Sequence, residues 1–287
     1  MEKEIVSYQG VLGAYSHLAC KEVFPNANLI SQDSFIESMQ LVEKGEVSYA
    51  MIPVENTSAG RVEEIYRLIP KMQLHIISEH FQPIKHNLLS LKGSELKNIK
   101  YVSSHPQALA QCANNIKKLN LIAIDKFDTA GSAKELELLK DKTHAVVASS
   151  LAAKLYNLEI LDDDFADYEG NVTRFIILGK NSNIPKYEDE KSYITSLIFC
   201  VKNIPAALYK ALGGFATNGI DLIKIESYSE VGSVYSSSFH VDLYGHIEER
   251  RLKLALDELN HFCEELKVIG VYERNRHRDN MCSLESK

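Results

Sequence analysis

Tyr49-Ala50-Met51-Ile52-Pro53-Val54 is an apolar run of strand length, and it ends directly in the polar turn Glu55-Asn56-Thr57-Ser58-Ala59-Gly60. The segment before this run opens with a capping box of Ser34 and Glu37, keeps apolar residues at helical spacing and ends at Gly45. Further strand–helix units follow near residues 101, 121 and 145, and residues 172–178 form a last strand. This alternation predicts an α/β fold with a largely parallel sheet.

The order of elements changes after residue 182. Residues 183–191 combine Pro185 with a charge cluster and no apolar period, which predicts a linker between a domain at 1–182 and a second at 192–275. The order strand, helix, strand, strand, helix, strand in the second domain predicts the ferredoxin-like βαββαβ arrangement. These elements are expected at 193–202, 205–219, 221–228, 234–244, 248–266 and 267–272. Residues 276–287 are expected to be a disordered tail, and the arginines after Glu273 to be solvated.

Composition and charge limit the possible classes of function. The 287 residues are 45% hydrophobic and 25% charged with a net charge of −7, which argues against nucleic acid as the main partner because phosphates require a basic face. No apolar run approaches the ~20 residues of a membrane span. The N-terminus has no signal-peptide pattern and the five scattered cysteines have no metal spacing, so we expect a cytosolic protein with reduced thiols and no zinc.

Four polar clusters fall at the carboxyl ends of predicted strands, where open α/β sheets place their ligands. The first, residues 9–16 (Gln9-Gly10-Val11-Leu12-Gly13-Ala14-Tyr15-Ser16), is a glycine turn that runs into a helix. Its backbone N–H groups are suited to a carboxylate, although a tight turn alone also explains the glycines. It is not a dinucleotide fingerprint, since the third glycine is missing. The second, Glu55-Asn56-Thr57, is either a substrate-binding group with Glu55 as an acid or ordinary turn chemistry.

The third cluster runs from Ser103 to Cys112, where Ser104 is expected to cap a helix that Pro106 starts. Gln107 and Gln111 then share a helix face and offer amide donors, although a capped surface helix explains the same pattern. The fourth, residues 171–175 (Asn171-Val172-Thr173-Arg174-Phe175), is a strand in which neighbouring side chains point to opposite faces. Thr173 and Arg174 can therefore face the same pocket only if they lie at a strand end or at a bulge.

These clusters, taken in order, resemble the successive motifs of prephenate dehydratases. The matching motifs are Tyr8-Gln9-Gly10 with residues 13–16, Ile52-Pro53-Val54-Glu55-Asn56, residues 104–112, Asp128-Thr129-Ala130-Gly131 and residues 171–175. The resemblance covers roughly residues 4–180. It implies a two-lobed domain like some periplasmic binding proteins, with one lobe from about 1–80 plus 165–182 and the other from 81–164. Residues 192–275 resemble an ACT domain, with Ile225-Glu226-Ser227 matching that family's Glu-Ser motif.

The resemblance implies conversion of prephenate to phenylpyruvate with loss of water and carbon dioxide, and it implies no cofactor and no metal. Thr173 is the residue expected to protonate or hydrogen-bond the leaving hydroxyl, with Glu55 as the rival proton donor. The implied catalytic group is Glu55, Asn56, Ser104, Gln111, Thr173 and Arg174. The implied substrate-binding group is Gly13, Ala14, Tyr15, Ser16, Thr57 and Gln107.

The ACT resemblance implies feedback inhibition by L-phenylalanine bound at a dimer interface. The expected effector-binding residues are Asn203, Ala206, Ala207, Leu208, Asn218, Asp221, Leu222, Glu226 and Ser227. The sequence departs from the family's usual wording at three places. Ala206-Ala207-Leu208-Tyr209 stands in place of Gly-Ala-Leu-Val, Tyr228-Ser229 in place of Arg-Pro, and Asp221 where asparagine is common. These departures leave open which effector binds and whether it inhibits or activates. They also leave open that the domain serves only as a structural dimerisation module.

Two other functions remain open from the sequence. One is an arogenate dehydratase, which performs the same chemistry on the transaminated substrate. The other is a non-catalytic amino-acid sensor, against which the joint presence of the Glu55-Asn56 and Thr173-Arg174-Phe175 motifs speaks. A homodimer or homotetramer is expected, because an isolated ACT domain exposes a sheet edge.

Overall fold

The computed structural model describes residues 3–228 and 238–279, and the chain divides into two compact units. The first unit takes in Met1–Ser38, Met51–Arg61 and Phe81–Phe175, and the second takes in Met39–Ala50, Val62–His80 and Ile176–Lys287. No helix among the described residues is both long and apolar enough to cross a membrane.

Strands and helices alternate through most of the chain, as the sequence predicts. Strands β1 to β15 of the described residues are Ile5–Gln9, Asn28–Gln32, Tyr49–Asn56, Gly60–Arg61, His75–Pro83, Asn87–Ser90, Tyr101–Ser104, Ile122–Asp125, His144–Ala148, Glu159–Asp162, Val172–Gly179, Tyr193–Val201, Leu222–Tyr228, Ser238–Tyr244 and Cys263–Glu273. Helices α1 to α9 are Tyr15–Val23, Phe35–Lys44, Glu63–Leu68, Pro106–Gln111, Ala113–Lys118, Thr129–Leu139, Ser150–Leu155, Ala207–Thr217 and Arg250–Phe262. The predicted α/β class is confirmed.

The first unit contains two sheets. One has the strand order β10-β6-β9-β7-β8, in which β7 runs parallel to both of its neighbours. The other has the strand order β11-β3-β1-β2, in which β1 runs parallel to β2. Only part of β3 and part of β11 belong to the first unit. The strands of each sheet come from one of the two lobes expected from the sequence, so the two sheets fit the two-lobed fold.

The predicted start of α2 is correct in detail. The Ser34 backbone N–H donates to the Glu37 carboxylate at 3.2 Å, and the Glu37 N–H donates to Ser34 Oγ at 3.3 Å. The helix ends at Lys44, and Gly45 takes a left-handed conformation with φ of +78°. The capping box and the glycine therefore act as the start and stop signals that the sequence indicated.

The second unit contains the predicted ferredoxin-like order β12-α8-β13-β14-α9-β15, with a sheet order of β13-β14-β12-β15. The strands of this sheet pair antiparallel, and β5 adds to the outer edge of β15 in parallel. Leu197, Phe199 and Val241 on the sheet pack with Phe215 of α8 and Leu252 of α9 in one buried core. Residues 229–237, which include part of the predicted fourth element, lie outside the described residues.

The boundary between α9 and β15 differs from the prediction. The helix was expected to reach residue 266, but it ends at Phe262, and residues 263–266 already belong to β15. These residues pair with β12, from Val201 opposite Cys263 to Phe199 opposite Leu266. The chain leaves the helix early because the neighbouring strand offers hydrogen-bond partners along its whole length.

The segment after Glu273 also differs from the prediction. Arg278 donates through Nε and Nη2 to the two carboxylate oxygens of Glu79, both at 2.8 Å, and the Glu79 side chain is fully buried. Asn275 bonds to Glu79 as well, through its backbone N–H and its side-chain amide. The expectation of solvated charges is therefore wrong for Arg278, because a buried carboxylate requires a cation. Residues 280–287 lie outside the described residues.

The segment predicted as a linker, residues 183–191, contains no helix or strand, but it packs against the following domain. Tyr193 Oη donates to the Lys186 carbonyl at 3.0 Å, and His246 Nε2 lies 2.9 Å from the Pro185 carbonyl. Tyr187 lies against the rings of Tyr193 and His246. The segment is therefore fixed to the second domain by aromatic contacts and hydrogen bonds.

Candidate active site

Asn56, at the end of β3, organises the candidate site. Its Oδ1 accepts hydrogen bonds from the backbone N–H groups of Ser58 and Ala59, both at 2.9 Å. Only an oxygen can face two N–H donors, so this turn fixes the orientation of the amide. Asn56 Nδ2 then donates to Asn171 Oδ1 at 2.8 Å and to Thr173 Oγ1 at 2.9 Å. One amide therefore joins the carboxyl end of β3 to the start of β11.

Thr173 presents a hydroxyl whose proton is available. Its Oγ1 accepts a hydrogen bond from Asn56, and it donates to none of the described residues. A hydroxyl has one proton and can accept as well as donate. The side chain is therefore held from one side as an acceptor and offers a donor to a bound molecule.

Gln111, the last residue of α4, is held in a similar way. Its Oε1 accepts a hydrogen bond from Asn171 Nδ2 at 2.9 Å and lies 2.6 Å from His86 Nε2. The Gln111 amide nitrogen donates to none of the described residues, so its two N–H groups are also available. The site thus combines an amide donor and a hydroxyl donor, joined through Asn171 and Asn56.

His86, between β5 and β6, and Tyr15, at the start of α1, complete this network. Tyr15 Oη donates to the Lys85 carbonyl at 2.6 Å and lies 3.1 Å from His86 Nδ1. Burial lowers the pKa of His86 below its usual 6.5, and the hydrogen bond with Gln111 opposes this change. Burial raises the pKa of Tyr15 above its usual 10.0. Both side chains are therefore uncharged at neutral pH.

Arg174 and Glu55 form a separate pair. Arg174 Nη1 lies 3.2 Å from Glu55 Oε1, and only 4% of the Arg174 side chain is exposed. Thr173 contacts Asn56 and Arg174 contacts Glu55 on two adjacent strands, so the two pairs lie on opposite sheet faces. The structure therefore does not bring Arg174 and Glu55 together with Thr173, although the sequence placed them in one catalytic group.

Two other predicted residues bond to the backbone through their hydroxyl groups, and a third is exposed. Ser104 is fully buried, and its Oγ donates to the Val147 carbonyl at 2.6 Å, so it does not cap α4 as expected. The cap is His105, whose Nδ1 accepts from the Gln107 N–H at 3.2 Å. The Thr57 hydroxyl accepts from the Val172 N–H at 3.0 Å and donates to a backbone carbonyl, so both its roles are used. Ser104 and Thr57 therefore act on the backbone in this structure, and Gln107 is exposed.

The glycine turn before α1 packs against the start of α7. Gly13 has φ of +92°, its N–H donates to His17 Nδ1 at 3.0 Å, and its carbonyl accepts from Ser149 Oγ at 2.6 Å. A Cβ at residue 13 would lie 3.2 Å from Ala152, which explains the glycine. Ala14 is the N-cap of α1, and Ser16 lies in its first turn. The turn therefore sets the position of Tyr15.

The family of the chain follows from comparison with known proteins. A family model described as prephenate dehydratase matches residues 6–183, which contain every residue of the network described above. The chain belongs to the prephenate dehydratase family. The motif resemblance is thereby confirmed for this part of the chain, and the dehydratase class of enzyme is established.

Relatives of the family extend across the second domain. A bifunctional N-acyl-homoserine lactone acylase/prephenate dehydratase of Komagataeibacter europaeus is 40% identical over 271 residues, covering 94% of this chain and 96% of the relative. Arogenate dehydratase 2 of Petunia hybrida is 37% identical over 281 residues, covering 93% of this chain and 71% of the relative. The solved structure of an Arthrobacter aurescens prephenate dehydratase in complex with L-Phe is 27% identical with a TM-score of 0.86, covering 98% of each chain.

Two residues of the hydrogen-bond network, Asn171 and His86, were not predicted from the sequence. Asn171 belongs to a quoted motif but received no role, and its position between Asn56 and Gln111 appears only when β11 is placed beside β3. His86 stands in no sequence motif that indicates a site, because neither the burial nor the partners of a histidine after a strand can be predicted from the sequence.

The described part of the chain contains no group of three or more potential metal ligands.

The residues expected to bind an effector lie in the second domain. Asn203, Ala206, Ala207 and Leu208 lie at or before the start of α8, and Asn218, Asp221 and Leu222 lie at or after its end. Glu226 and Ser227 lie on β13. The Asn218 amide donates to the Gly214 carbonyl at 2.8 Å and to Glu258 Oε1 at 3.0 Å, so it holds α8 against α9.

Acid should destabilise this protein through its buried histidines. Burial lowers the pKa of His17 and His86 from the usual 6.5, so the folded state prefers their neutral forms while the unfolded chain binds protons at pH 6.5. This contribution to stability is present above pH 6.5 and is lost as the pH falls towards the lowered values. Protonation of His17 Nδ1 would also remove its hydrogen bond from Gly13.

We expect the midpoint of urea unfolding to fall between pH 7.5 and pH 5.5, a range in which ordinary carboxylates change charge little. His17→Gln keeps an acceptor for the Gly13 N–H but does not titrate, so it should reduce this fall. An equal fall in the wild type and in the His17→Gln variant would contradict the assignment to His17.

Proposed function

We propose that this chain converts prephenate to phenylpyruvate and is regulated by L-phenylalanine through its C-terminal domain. The observation that carries the proposal is the Thr173 hydroxyl, which accepts from Asn56 and keeps its proton for a bound molecule. The leaving hydroxyl of prephenate needs such a donor. The Gln111 amide supplies further donors for the carboxylates of the substrate.

The reaction places modest demands on the protein. The ring carboxylate leaves as carbon dioxide, its bonding electrons enter the ring, and the ring hydroxyl leaves as the ring becomes aromatic. The leaving oxygen takes up one proton from solvent to form water, so no electrons enter or leave and no cofactor is required. A preoriented hydrogen bond from Thr173 stabilises the negative charge that develops on this oxygen. Because a threonine hydroxyl is a weak acid, its role is a hydrogen bond rather than full proton transfer.

The composition of the network favours prephenate over arogenate. Tyr15, Asn56, His86, Gln111, Asn171 and Thr173 include no carboxylate, and Glu55 is paired with Arg174 on the other face. The ammonium group of arogenate needs hydrogen-bond acceptors, whereas the keto group of prephenate needs donors such as those that Thr173 and Gln111 offer. We therefore expect kcat/KM to be higher for prephenate when both substrates are compared with the purified protein. A clear preference for arogenate would contradict this part of the proposal.

The positions of the expected effector residues support binding between two copies of the chain. Helix α8 has 11 residues, so its ends are roughly 16 Å apart. Asn203 and Ala206 lie near one end, and Asp221 lies beyond the other. One amino acid is too short to contact both ends of a single helix, which supports a site completed by a second subunit. We expect L-phenylalanine to inhibit turnover and to stabilise a dimer in analytical ultracentrifugation, and an effect on neither would contradict the proposal.

Ala206 is a strained position at the start of α8. Its φ is +57°, in the left-handed region, where the family usually has glycine. A left-handed backbone costs a residue with a Cβ roughly 1–2 kcal/mol, part of which is offset by the greater freedom of glycine in the unfolded chain. Ala206→Gly should therefore stabilise the protein by about 0.5–1 kcal/mol in urea unfolding.

The matched control for this substitution is Ala211→Gly, at a buried position inside the same helix. It should destabilise the protein, since glycine costs about 1 kcal/mol in a helix interior and the buried methyl is also lost. Destabilisation by Ala206→Gly would show that the methyl of Ala206 makes favourable contacts that outweigh its strain.

A further inference from the structure

We infer that His86 is a positioning residue for the proposed reaction. The Nε2–H group of His86 holds the side-chain oxygen of Gln111, and this turns both N–H groups of the Gln111 amide towards the substrate. The inference rests on the proposed function. It assigns a role to a buried side chain that the chemistry of the leaving hydroxyl does not use.

The orientation of every amide in the network follows from two backbone N–H groups. Ser58 and Ala59 donate to Asn56 Oδ1, so Asn56 Nδ2 must face Asn171 Oδ1. Asn171 then faces Gln111 with Nδ2, and Gln111 must accept with Oε1. Turning any one amide around would place two donors or two acceptors against each other.

The same reasoning fixes the tautomer of His86. Gln111 Oε1 is an acceptor only, and His86 Nε2 lies 2.6 Å from it, so Nε2 carries the proton. In the neutral ring Nδ1 then carries no proton and lies 3.1 Å from Tyr15 Oη, which donates its one proton to the closer Lys85 carbonyl. His86 is only 3% exposed, so water cannot replace it as the second donor to Gln111 without a rearrangement.

The network sets orientation and does not deliver protons. Between His86 and Thr173 the hydrogen bonds pass through the side-chain amides of Gln111, Asn171 and Asn56, and amides do not release protons at neutral pH. Loss of the His86 donor should therefore weaken binding of the substrate through Gln111. Its effect should appear mainly in KM, because a group that binds ground state and transition state alike changes KM more than kcat.

A double-mutant cycle tests this role. We would measure kcat and KM for the wild type, His86→Leu, Gln111→Leu and the double variant, using the substrate that the wild type turns over. His86→Leu should raise KM by about tenfold, the scale of losing one hydrogen bond in a buried site. In the Gln111→Leu background the same substitution should change KM by less than about twofold, because its partner is already absent.

The conservative variant separates positioning from folding. His86→Gln places an amide nitrogen near the position of Nε2 and should return KM to within a few-fold of the wild type. An equal effect of His86→Leu in both backgrounds would overturn the inference. The inference would also be overturned if His86→Leu lowered only kcat, because an unchanged KM with a lower kcat indicates a smaller fraction of folded protein.

Failure of the proposed function would be recognised separately. If the wild type turned over neither prephenate nor arogenate, the proposed reaction would be the wrong assignment for this chain. The same cycle would then be measured on the Kd of prephenate by calorimetry. Coupling between residues 86 and 111 in that Kd would support the positioning role, and additivity would overturn it.

Discussion

Thr173→Ala should lower kcat for prephenate by about 10²- to 10³-fold, the usual cost of removing one donor aimed at developing negative charge. The hydroxyl is the group that the Asn56 amide holds from behind, with its proton available to a ligand. Thr173→Ser keeps the hydroxyl and should retain most of the activity. Steady-state formation of phenylpyruvate measures both variants.

Glu55 is the rival proton donor, and Glu55→Gln is the matched substitution. Because Glu55 is paired with Arg174 on the other sheet face, Glu55→Gln should reduce kcat much less than Thr173→Ala does. It is expected to act mainly on stability, since it removes the negative charge that lies 3.2 Å from the buried Arg174 guanidinium. Near-normal turnover in Thr173→Ala together with a large loss in Glu55→Gln would reverse the two roles.

The second large effect concerns Gly270 in β15. Gly270 pairs with Ile76 of β5, and a Cβ at residue 270 would collide with the Ile76 carbonyl and lie 2.7 Å from its Cβ. Backbone atoms on a neighbouring strand cannot move aside without loss of the pairing. Gly270→Ala should therefore destabilise the chain by about 3 kcal/mol, measured by urea unfolding with circular dichroism.

Gly213 in α8 provides the control, because the same substitution there meets nothing within 4 Å. Gly213→Ala should stabilise the protein by up to about 1 kcal/mol, the difference in helix propensity. Equal effects at both positions would mean that β15 does not approach β5 as closely as the structure indicates.

The sequence was sufficient for the parts of the fold that depend on local signals. The capping box of α2, the strand β3 and the ferredoxin-like order of the second domain all follow from spacing and turn residues. The end of α9 and the contact of Arg278 with Glu79 could not be predicted, because both depend on distant segments. In each case a partner far along the chain, β12 or a buried carboxylate, outweighs the local preference.

The same distinction holds for the candidate site. Tyr15, Asn56, Gln111 and Thr173 were identified from motifs, and the structure joins them in one network. The separation of Arg174 from Thr173 was already implied by the two-residue period of a strand, whereas the motif grouped them. His86 could not be found from the sequence, because its role depends on being buried between Tyr15 and Gln111.

Formation of phenylpyruvate from prephenate, measured with purified protein and no added cofactor, decides whether this chain catalyses the proposed reaction. We expect turnover far above the uncatalysed rate, lowered by about 10²- to 10³-fold in Thr173→Ala and mostly retained in Thr173→Ser. A wild-type rate equal to that of buffer alone, with a correctly folded protein, would contradict it.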